Sequence, residues 1–152
     1  MRIMSVVASK RKVGQLVVFT KLRQLCSYTK TIVENATYFP VENYQTKGKK
    51  IVQNNVKSVL AKRIYNSVLS VNNYANRANK VFVKSHSDYE IRRKYQVEAI
   101  SEVSALLQDM EKAMVECNIP SRVMNYWVGL VVEVQELLRN WRNSEYKATT
   151  LG

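Results

Sequence analysis

The clearest fold signal in this chain is the stretch from Pro120 to Trp141, which reads PSRVMNYWVGLVVEVQELLRNW. Its large apolar residues recur at steps of 4, 3, 4, 3 and 4, and the set is Val123, Trp127, Leu130, Val134, Leu137 and Trp141. This spacing places them on one face of an α-helix. Pro120 suits the first helical turn, so the pattern predicts a helix from Pro120 to about Tyr146.

Three further stretches have the same periodicity and predict helices over about 13–37, 49–79 and 87–117. The first carries Phe19, Leu22, Cys26, Thr29, Val33 and Ala36, and Pro40 ends it. The second carries Val52, Val56, Leu60, Ile64, Val68 and Val71. The third, capped by Ser85 or Ser87, carries Ala99, Val103, Leu106, Met110, Ala113 and Cys117. Four amphipathic helices with short connections predict an all-α, antiparallel up-down four-helix bundle.

Size and composition fit one such domain. The chain has 152 residues, 46% of them hydrophobic, and only 4 Gly and 2 Pro, too few for the many turns of an all-β fold. We divide it into a basic N-terminal extension (1–12), the four-helix bundle (13–146) and a flexible tail (147–152). No apolar run is long enough to span a membrane. Cys26 and Cys117 fall in apolar helical patterns and indicate unpaired thiols in a reducing compartment, the cytoplasm.

Charge is distributed unevenly along the chain. Residues 1–84 contain 16 Lys and Arg against 2 acids (net +14), whereas residues 85–152 contain 8 against 10 (net −2), which together give the formal net charge of +12. A positive field of this kind attracts polyanions, because each phosphate contact releases counterions. The charge therefore predicts a nucleic-acid partner, with an anionic membrane surface as a weaker alternative.

The predicted nucleic-acid-binding residues follow the basic segments. They are Lys21, Arg23, Lys47, Lys49, Lys50, Lys57, Lys62, Arg63, Arg77, Lys80, Lys84, Arg92, Arg93 and Lys94. A solvated helix face would intersperse acids for i,i+4 pairing, and there are none between Asn43 and Ser87. Tyr65 and Tyr74 could stack on bases or pack between subunits, and packing between subunits is favoured. No groove-reading motif occurs, so contacts to the backbone of the nucleic acid are expected.

Catalytic chemistry is not indicated. The single histidine, His86, has no Cys or acid at metal-ligand spacing and no nucleophile signalled near it, and it is expected in an exposed loop. No phosphate-binding Gly-rich loop is present. We therefore expect a protein that is not an enzyme and that needs no metal or cofactor.

Three stretches together resemble a known family. They are IVENATYFP at 32–40, RKYQVEA at 93–99, and Ile119-Pro120 followed by VVEVQELLRNW at 131–141. They are similar to the four-helix-bundle family that includes the accessory variability determinant proteins of diversity-generating retroelements and proteins encoded in ribosomal RNA intervening sequences. The similarity spans roughly residues 15–145.

The resemblance implies a homopentameric barrel that binds the retroelement reverse transcriptase and its RNA, and supports mutagenic reverse transcription and retrohoming. An RNA/DNA hybrid or DNA stays open as the nucleic acid. Val17, Val18, Val59 and Val71 are expected to supply contacts between subunits. The strong positive charge favours the accessory branch. The alternative is a stand-alone oligomeric bundle of the intervening-sequence type with no polymerase partner.

Overall fold

Four long helices make up the computed structural model, which describes residues 2–40 and 49–150, with side chains described for 17–40 and 56–145. The helices are α1 (Arg2–Val33), α2 (Lys49–Lys80), α3 (His86–Glu116) and α4 (Ser121–Thr150). Each has 30 to 32 residues and is therefore about 45–48 Å long at 1.5 Å per residue. No strand occurs among the described residues, which confirms the predicted all-α four-helix fold.

The helices surround one core in a ring. The most extensive contact is between α2 and α3, followed by α1 with α4, α3 with α4, and α1 with α2. Within the described residues, the diagonal pairs α1/α3 and α2/α4 have no Cα atoms within 8 Å of each other. Each helix therefore packs against the helices next to it around the ring, as in a four-helix bundle.

The predicted stripes of α3 and α4 lie in this core. All six α3 positions from Ala99 to Cys117 are buried. In α4, Trp127, Leu130, Val134 and Trp141 are buried, while Val123 and Leu137 pack against the core from its edge. The indole Nε1 of Trp127 donates a hydrogen bond of 3.0 Å to Oγ1 of the buried Thr29, so the largest core side chain is fixed to α1.

The buried face of α1 is rotated from the predicted one. The core residues are Val18, Leu22, Leu25, Thr29 and Ile32. Phe19, Cys26 and Val33 are half-buried and Ala36 is exposed. The prediction that Val18 and Val71 form exposed subunit contacts is wrong, because they are 1% and 0% exposed; Val17 and Val59 are exposed as predicted. In α2, Leu60, Ile64, Val68 and Val71 are buried and Val56 is exposed.

The end of α1 comes earlier than predicted, at Val33 rather than near Thr37. The side-chain oxygen of Asn35 accepts a hydrogen bond of 2.9 Å from the backbone N–H of Thr37, and the Asn35 carbonyl accepts from Tyr38 and Phe39. An Asn side chain that bonds two residues ahead offers the backbone a turn in place of another helical turn. The turn directs Phe39 into the core, where it is buried.

Both ends of α2, both ends of α3 and the start of α4 are close to the predicted ones, whereas α1 starts earlier and α4 ends later than predicted. Ser85 caps α3: its hydroxyl accepts from Asp88 N–H at 3.2 Å. The carbonyl of Pro120 accepts from Val123 and Met124, so α4 starts one residue later than predicted. α1 begins at Arg2, within the predicted N-terminal extension 1–12. α4 continues to Thr150, into the predicted tail 147–152. The last two residues of that tail lie outside the described part.

Candidate nucleic-acid interface

The fourteen predicted binding residues separate into groups by their surroundings. Lys47 lies outside the described residues. Lys49 and Lys50 form the start of α2, and their side chains are not among those described. The remaining eleven divide into cations that are buried or paired and cations that face solvent.

Arg92 does not belong to an exposed surface, which corrects its assignment as a phosphate-binding residue. It is 3% exposed and lies between α3, α4 and the α2–α3 connection. Its guanidinium donates to both Glu145 carboxylate oxygens (Nε to Oε2 2.9 Å, Nη2 to Oε1 2.6 Å) and to the Val81 carbonyl (3.1 Å). Gln96 and Trp141 also donate to Glu145, at 3.0 and 2.8 Å. A buried charge requires partners of this kind, and these hydrogen bonds leave the Arg92 guanidinium unavailable to an external phosphate.

Three further cations are partly engaged within the bundle. Arg63 lies 3.0 Å from the buried carboxylate of Asp109, although more than half of its side chain is exposed. Lys21 lies 3.3 Å from Glu133 on α4. Lys57 is half-buried and close enough to Cys117 to influence its ionisation. Arg93 is also half-buried. These side chains are less available to an external partner than their sequence positions suggest, because they are paired or partly buried.

Six predicted residues face solvent: Arg23, Lys62, Arg77, Lys80, Lys84 and Lys94. Among the described residues, no carboxylate oxygen lies within 4.0 Å of any of their charged nitrogens. Four of the six belong to α2 or to the connection that follows it. Most of the predicted cations that are exposed and outside the ion pairs therefore lie on α2 or just after it, although other helices also expose cations: Lys30, Lys112, Arg122 and Arg139.

Four polar residues lie along the outer face of α2, with the exposed Leu69 between them. We call these four the α2 outer stripe: Lys62, Asn66, Asn73 and Lys80. These four exposed residues are spaced 4, 7 and 7 apart, which keeps them on one side of a helix. Lys62 and Lys80 are about 27 Å apart along the axis at 1.5 Å per residue. Lys ammonium and Asn amide groups are typical phosphate and sugar ligands. The charge pattern of the sequence did not predict Asn66 and Asn73 as binding residues, because both are uncharged. Their helical spacing from Lys62 does indicate that they share its face.

A groove adjoins the stripe between the end of α1 and α2. It has a volume of about 450 Å³, and Lys30, Lys62 and Tyr65 contribute to its lining, together with Phe39, Pro40 and a single acid, Glu34. Lys30 and Lys62 are exposed, so the groove can accept an anionic group, although Glu34 opposes this. Tyr65 and Tyr74 are both half-buried, and Tyr74 packs against the core with the Arg77 guanidinium 5.8 Å from its ring centroid. This packing of Tyr74 is within its own bundle, so packing of the two tyrosines between subunits stays a prediction.

The α2–α3 connection exposes an aromatic residue that the sequence analysis did not single out. Phe82 is 75% exposed, and the Lys84 ammonium lies 5.5 Å from its ring centroid. The sequence signal was present in the short apolar run Val81–Val83, which lies in a connection between two lysines. An apolar residue in such a place cannot contribute to a helix stripe.

Reactive side chains give no indication of catalysis in the described residues. Cys26 and Cys117 are unpaired, as predicted. Burial raises the pKa of both thiols; at Cys117 the Lys57 ammonium opposes the rise and Glu116 adds to it. Little thiolate is then present at neutral pH. His86 is exposed at the first position of α3 rather than in the loop, 3.4 Å from Glu90.

The described residues contain neither a metal-binding cluster nor a membrane-spanning helix. No cluster of three or more His, Cys, Asp or Glu side chains there is arranged to hold a metal ion. None of the described helices combines the length and apolar character needed to cross a membrane. Comparison with known protein families, curated proteins and solved structures finds no match for this chain.

Proposed function

We propose that this protein is a non-catalytic nucleic-acid-binding subunit that accompanies the reverse transcriptase of a diversity-generating retroelement and its template RNA. The observation that carries the nucleic-acid part is the acid-free α2, whose 32 residues hold seven Lys and Arg and no Asp or Glu. The resemblance of the segments at 32–40, 93–99 and 119–141 motivates the polymerase part.

Internal pairing does not account for the charge of α2. Three acids of α3 and α4 lie within 4.0 Å of a cation. Asp109 pairs with Arg63, Glu133 pairs with Lys21, and Glu145 pairs with Arg92. Lys62, Arg77, Lys80 and Lys84 stay exposed beyond the reach of these pairs. Repulsion among these cations is a cost that a phosphate backbone would remove, since each neutralised phosphate also releases counterions. Binding of this type reads the backbone and shape of a nucleic acid rather than its sequence.

The proposal includes an antiparallel bundle assembled into a homopentamer. The order of contacts between α1 and α4 supports the antiparallel part, because Phe19 meets Trp141 whereas Tyr28 meets Tyr126. Exposed Val17 and Val59 are candidate subunit contacts. Five copies of the α2 outer stripe around one axis would engage several segments of a long RNA at once and increase its apparent affinity by avidity.

The test is co-purification with the reverse transcriptase encoded nearest the gene, at moderate salt, with and without nuclease. A complex that survives nuclease supports a direct accessory role. A complex lost on nuclease treatment contradicts direct polymerase contact and leaves RNA as the bridge. Absence of any complex overturns the accessory role and favours the stand-alone bundle of the intervening-sequence type.

A matched pair of variants separates polymerase contact from RNA contact. Lys62→Glu with Lys80→Glu reverses the charge of the α2 outer stripe, and Arg122→Glu with Arg139→Glu makes the same change at exposed residues of α4. The first variant should lose RNA from the complex and the second should retain it. Equal RNA content in both would remove the stripe from the proposed interface.

A further inference from the structure

We infer that the α2–α3 connection is a base-stacking site for single-stranded nucleic acid, with Phe82 as the platform and Lys80 and Lys84 as phosphate ligands. This inference rests on the proposed function and adds the form of nucleic acid that is bound. It begins from the exposure of Phe82, which at 75% is the most exposed aromatic side chain among the described residues. Exposing a phenyl ring to water is unfavourable unless another surface covers it.

One cation lies close to the ring, and two more precede it in the sequence. The Lys84 ammonium is 5.5 Å from its centroid, and exposed Lys80 and Arg77 lie two and five residues before Phe82 at the end of α2. An apolar protein partner would gain little from a phenyl ring set among unpaired cations. A nucleotide offers both groups required, a flat base for the ring and a phosphate for the lysines.

Nearby acids do not neutralise this site. Asp88 is half-buried and belongs to the α3 cap. Its carboxylate accepts a hydrogen bond of 3.1 Å from the Lys84 backbone N–H, and its own backbone N–H donates to the Ser85 hydroxyl. Glu90 lies 3.4 Å from the exposed His86 imidazole, one turn into α3. Neither carboxylate is within 4.0 Å of the Lys80 or Lys84 ammonium. The positive charge around Phe82 is therefore available to a ligand.

The backbone that carries Phe82 is held at both ends. The Val81 carbonyl accepts from the buried Arg92 guanidinium at 3.1 Å, and the Val81 N–H donates to the Ala78 carbonyl at 3.2 Å. On the other side, the Lys84 N–H is bound by Asp88. A platform fixed before the ligand arrives loses less conformational freedom on binding. Arg92 thus acts as a positioning residue for the site rather than as a phosphate ligand.

A single strand fits these features better than a duplex does. A base in a continuous duplex is stacked on both faces by its neighbours, whereas an unpaired base can place one face on an aromatic ring. Since every base has a π-face, the site should tolerate different bases. The α2 outer stripe ends at Lys80, so a strand lying along it would reach Phe82 at its end.

The experiment measures binding of a labelled 12-nucleotide oligouridylate and of a 12-base-pair RNA duplex by fluorescence anisotropy. We expect Phe82→Ala to weaken oligouridylate binding by about tenfold, the order of one lost aromatic stacking partner, and to leave duplex binding unchanged. Phe82→Trp should bind as wild type does, and its fluorescence should be quenched by the bound base, since Trp127 and Trp141 are buried. Val115→Ala, at another highly exposed apolar residue, should change neither affinity.

Three results would overturn the inference in distinguishable ways. Wild-type protein that binds neither RNA contradicts the proposed function itself. Oligouridylate binding that is equal in wild type and Phe82→Ala removes the stacking site and leaves the proposed function standing. Loss of binding to phosphatidylserine vesicles in Phe82→Ala, with unchanged RNA affinity, would assign Phe82 to a membrane surface. Circular dichroism of each variant confirms that the helices are retained.

Discussion

Arg77 and Arg92 lie on opposite sides of the same connection and differ in almost every physical respect. Arg77 is exposed, and its guanidinium is 5.8 Å from the Tyr74 ring centroid. Arg92 is buried, and its guanidinium donates to Glu145 and to the Val81 carbonyl. The two were equivalent in the charge pattern of the sequence. The comparison shows that a cation is available to an outside partner only where the fold brings no carboxylate to it.

Arg63 and Lys21 lie between these extremes. Asp109 is itself buried, but Arg63 reaches it from the surface, and the Lys21 and Glu133 side chains are 29% and 46% exposed. Removing one partner of such a pair costs less than removing one partner of a buried pair, because the charge that stays behind can be solvated. The cations of the bundle therefore range from a buried, paired arginine with a structural role to exposed cations that can bind an external partner. The following substitutions test this order.

The largest effect is expected where one partner of the buried pair is removed. Glu145→Ala leaves the Arg92 guanidinium buried without its carboxylate and removes the acceptor of Gln96 and Trp141. We expect it to lower the free energy of unfolding by about 3–5 kcal/mol. Urea denaturation monitored by circular dichroism measures this. Arg77→Ala is the matched control and should change stability by less than about 0.5 kcal/mol.

A double substitution sharpens the same test. Arg92→Met with Glu145→Leu replaces the ion pair by apolar groups, and such replacements are often neutral or stabilising by about 1–4 kcal/mol. The double variant should therefore be more stable than Glu145→Ala. A double variant as unstable as the single one would mean that the pair acts through something other than mutual charge compensation.

A smaller loss is expected at the uncharged buried pair between α1 and α4. Thr29→Val removes the acceptor of the Trp127 indole N–H, which then stays buried without a partner. The expected loss of stability is about 1–3 kcal/mol. Thr31→Val makes the same change at an exposed threonine that bonds the Ser27 carbonyl, and it should cost less than about 0.5 kcal/mol. Similar losses in both variants would contradict a special role for the buried bond.

The Arg63–Asp109 pair predicts opposite changes in protein stability and in RNA affinity. Asp109→Asn removes the charge that pairs with Arg63 at 3.0 Å and with Lys112 at 3.9 Å. Both cations are exposed and stay solvated, so stability should fall by about 1 kcal/mol or less. The released Arg63 adds an available cation to α2, and RNA affinity should rise by about two- to threefold, with a steeper salt dependence. Anisotropy titrations at several salt concentrations measure this. Unchanged RNA affinity would indicate that Arg63 lies away from the bound strand.

The smallest effect belongs to the accessible pair. Glu133→Gln should lower stability by less than about 1 kcal/mol, and the difference from wild type should disappear at about 1 M salt, where exposed charges are screened. Thermal unfolding at low and high salt measures this. A loss as large as that of Glu145→Ala would place Lys21–Glu133 among the structural pairs and contradict the grading.

Local sequence patterns predicted the helices better than they predicted the surfaces. The stripe of α3 was confirmed at every position from Ala99 to Cys117, although Ile91, Val97, Met114 and Val115 on the same helix are exposed. In α1, apolar residues at both Val18 and Phe19 allow two neighbouring faces, and only packing against α4 selects between them. The partner of Arg92 is Glu145, 53 residues further along the chain. No local pattern could have removed Arg92 from the run Arg92–Lys94 and assigned it to the core.

The central claim is that the exposed cations of α2 bind nucleic acid, and the salt dependence of binding tests it most directly. The affinity for single-stranded RNA is measured against salt concentration for three proteins: wild type, Lys62→Gln with Lys80→Gln, and the charge-matched Arg122→Gln with Arg139→Gln. Each phosphate contact to a single strand contributes about 0.7 to the slope of log affinity against log salt. If Lys62 and Lys80 each contact a phosphate, the α2 variant loses about 1.4 from the wild-type slope, and the α4 variant keeps the wild-type slope. Equal slopes for the two variants, or no salt-dependent binding by the wild type, would contradict it.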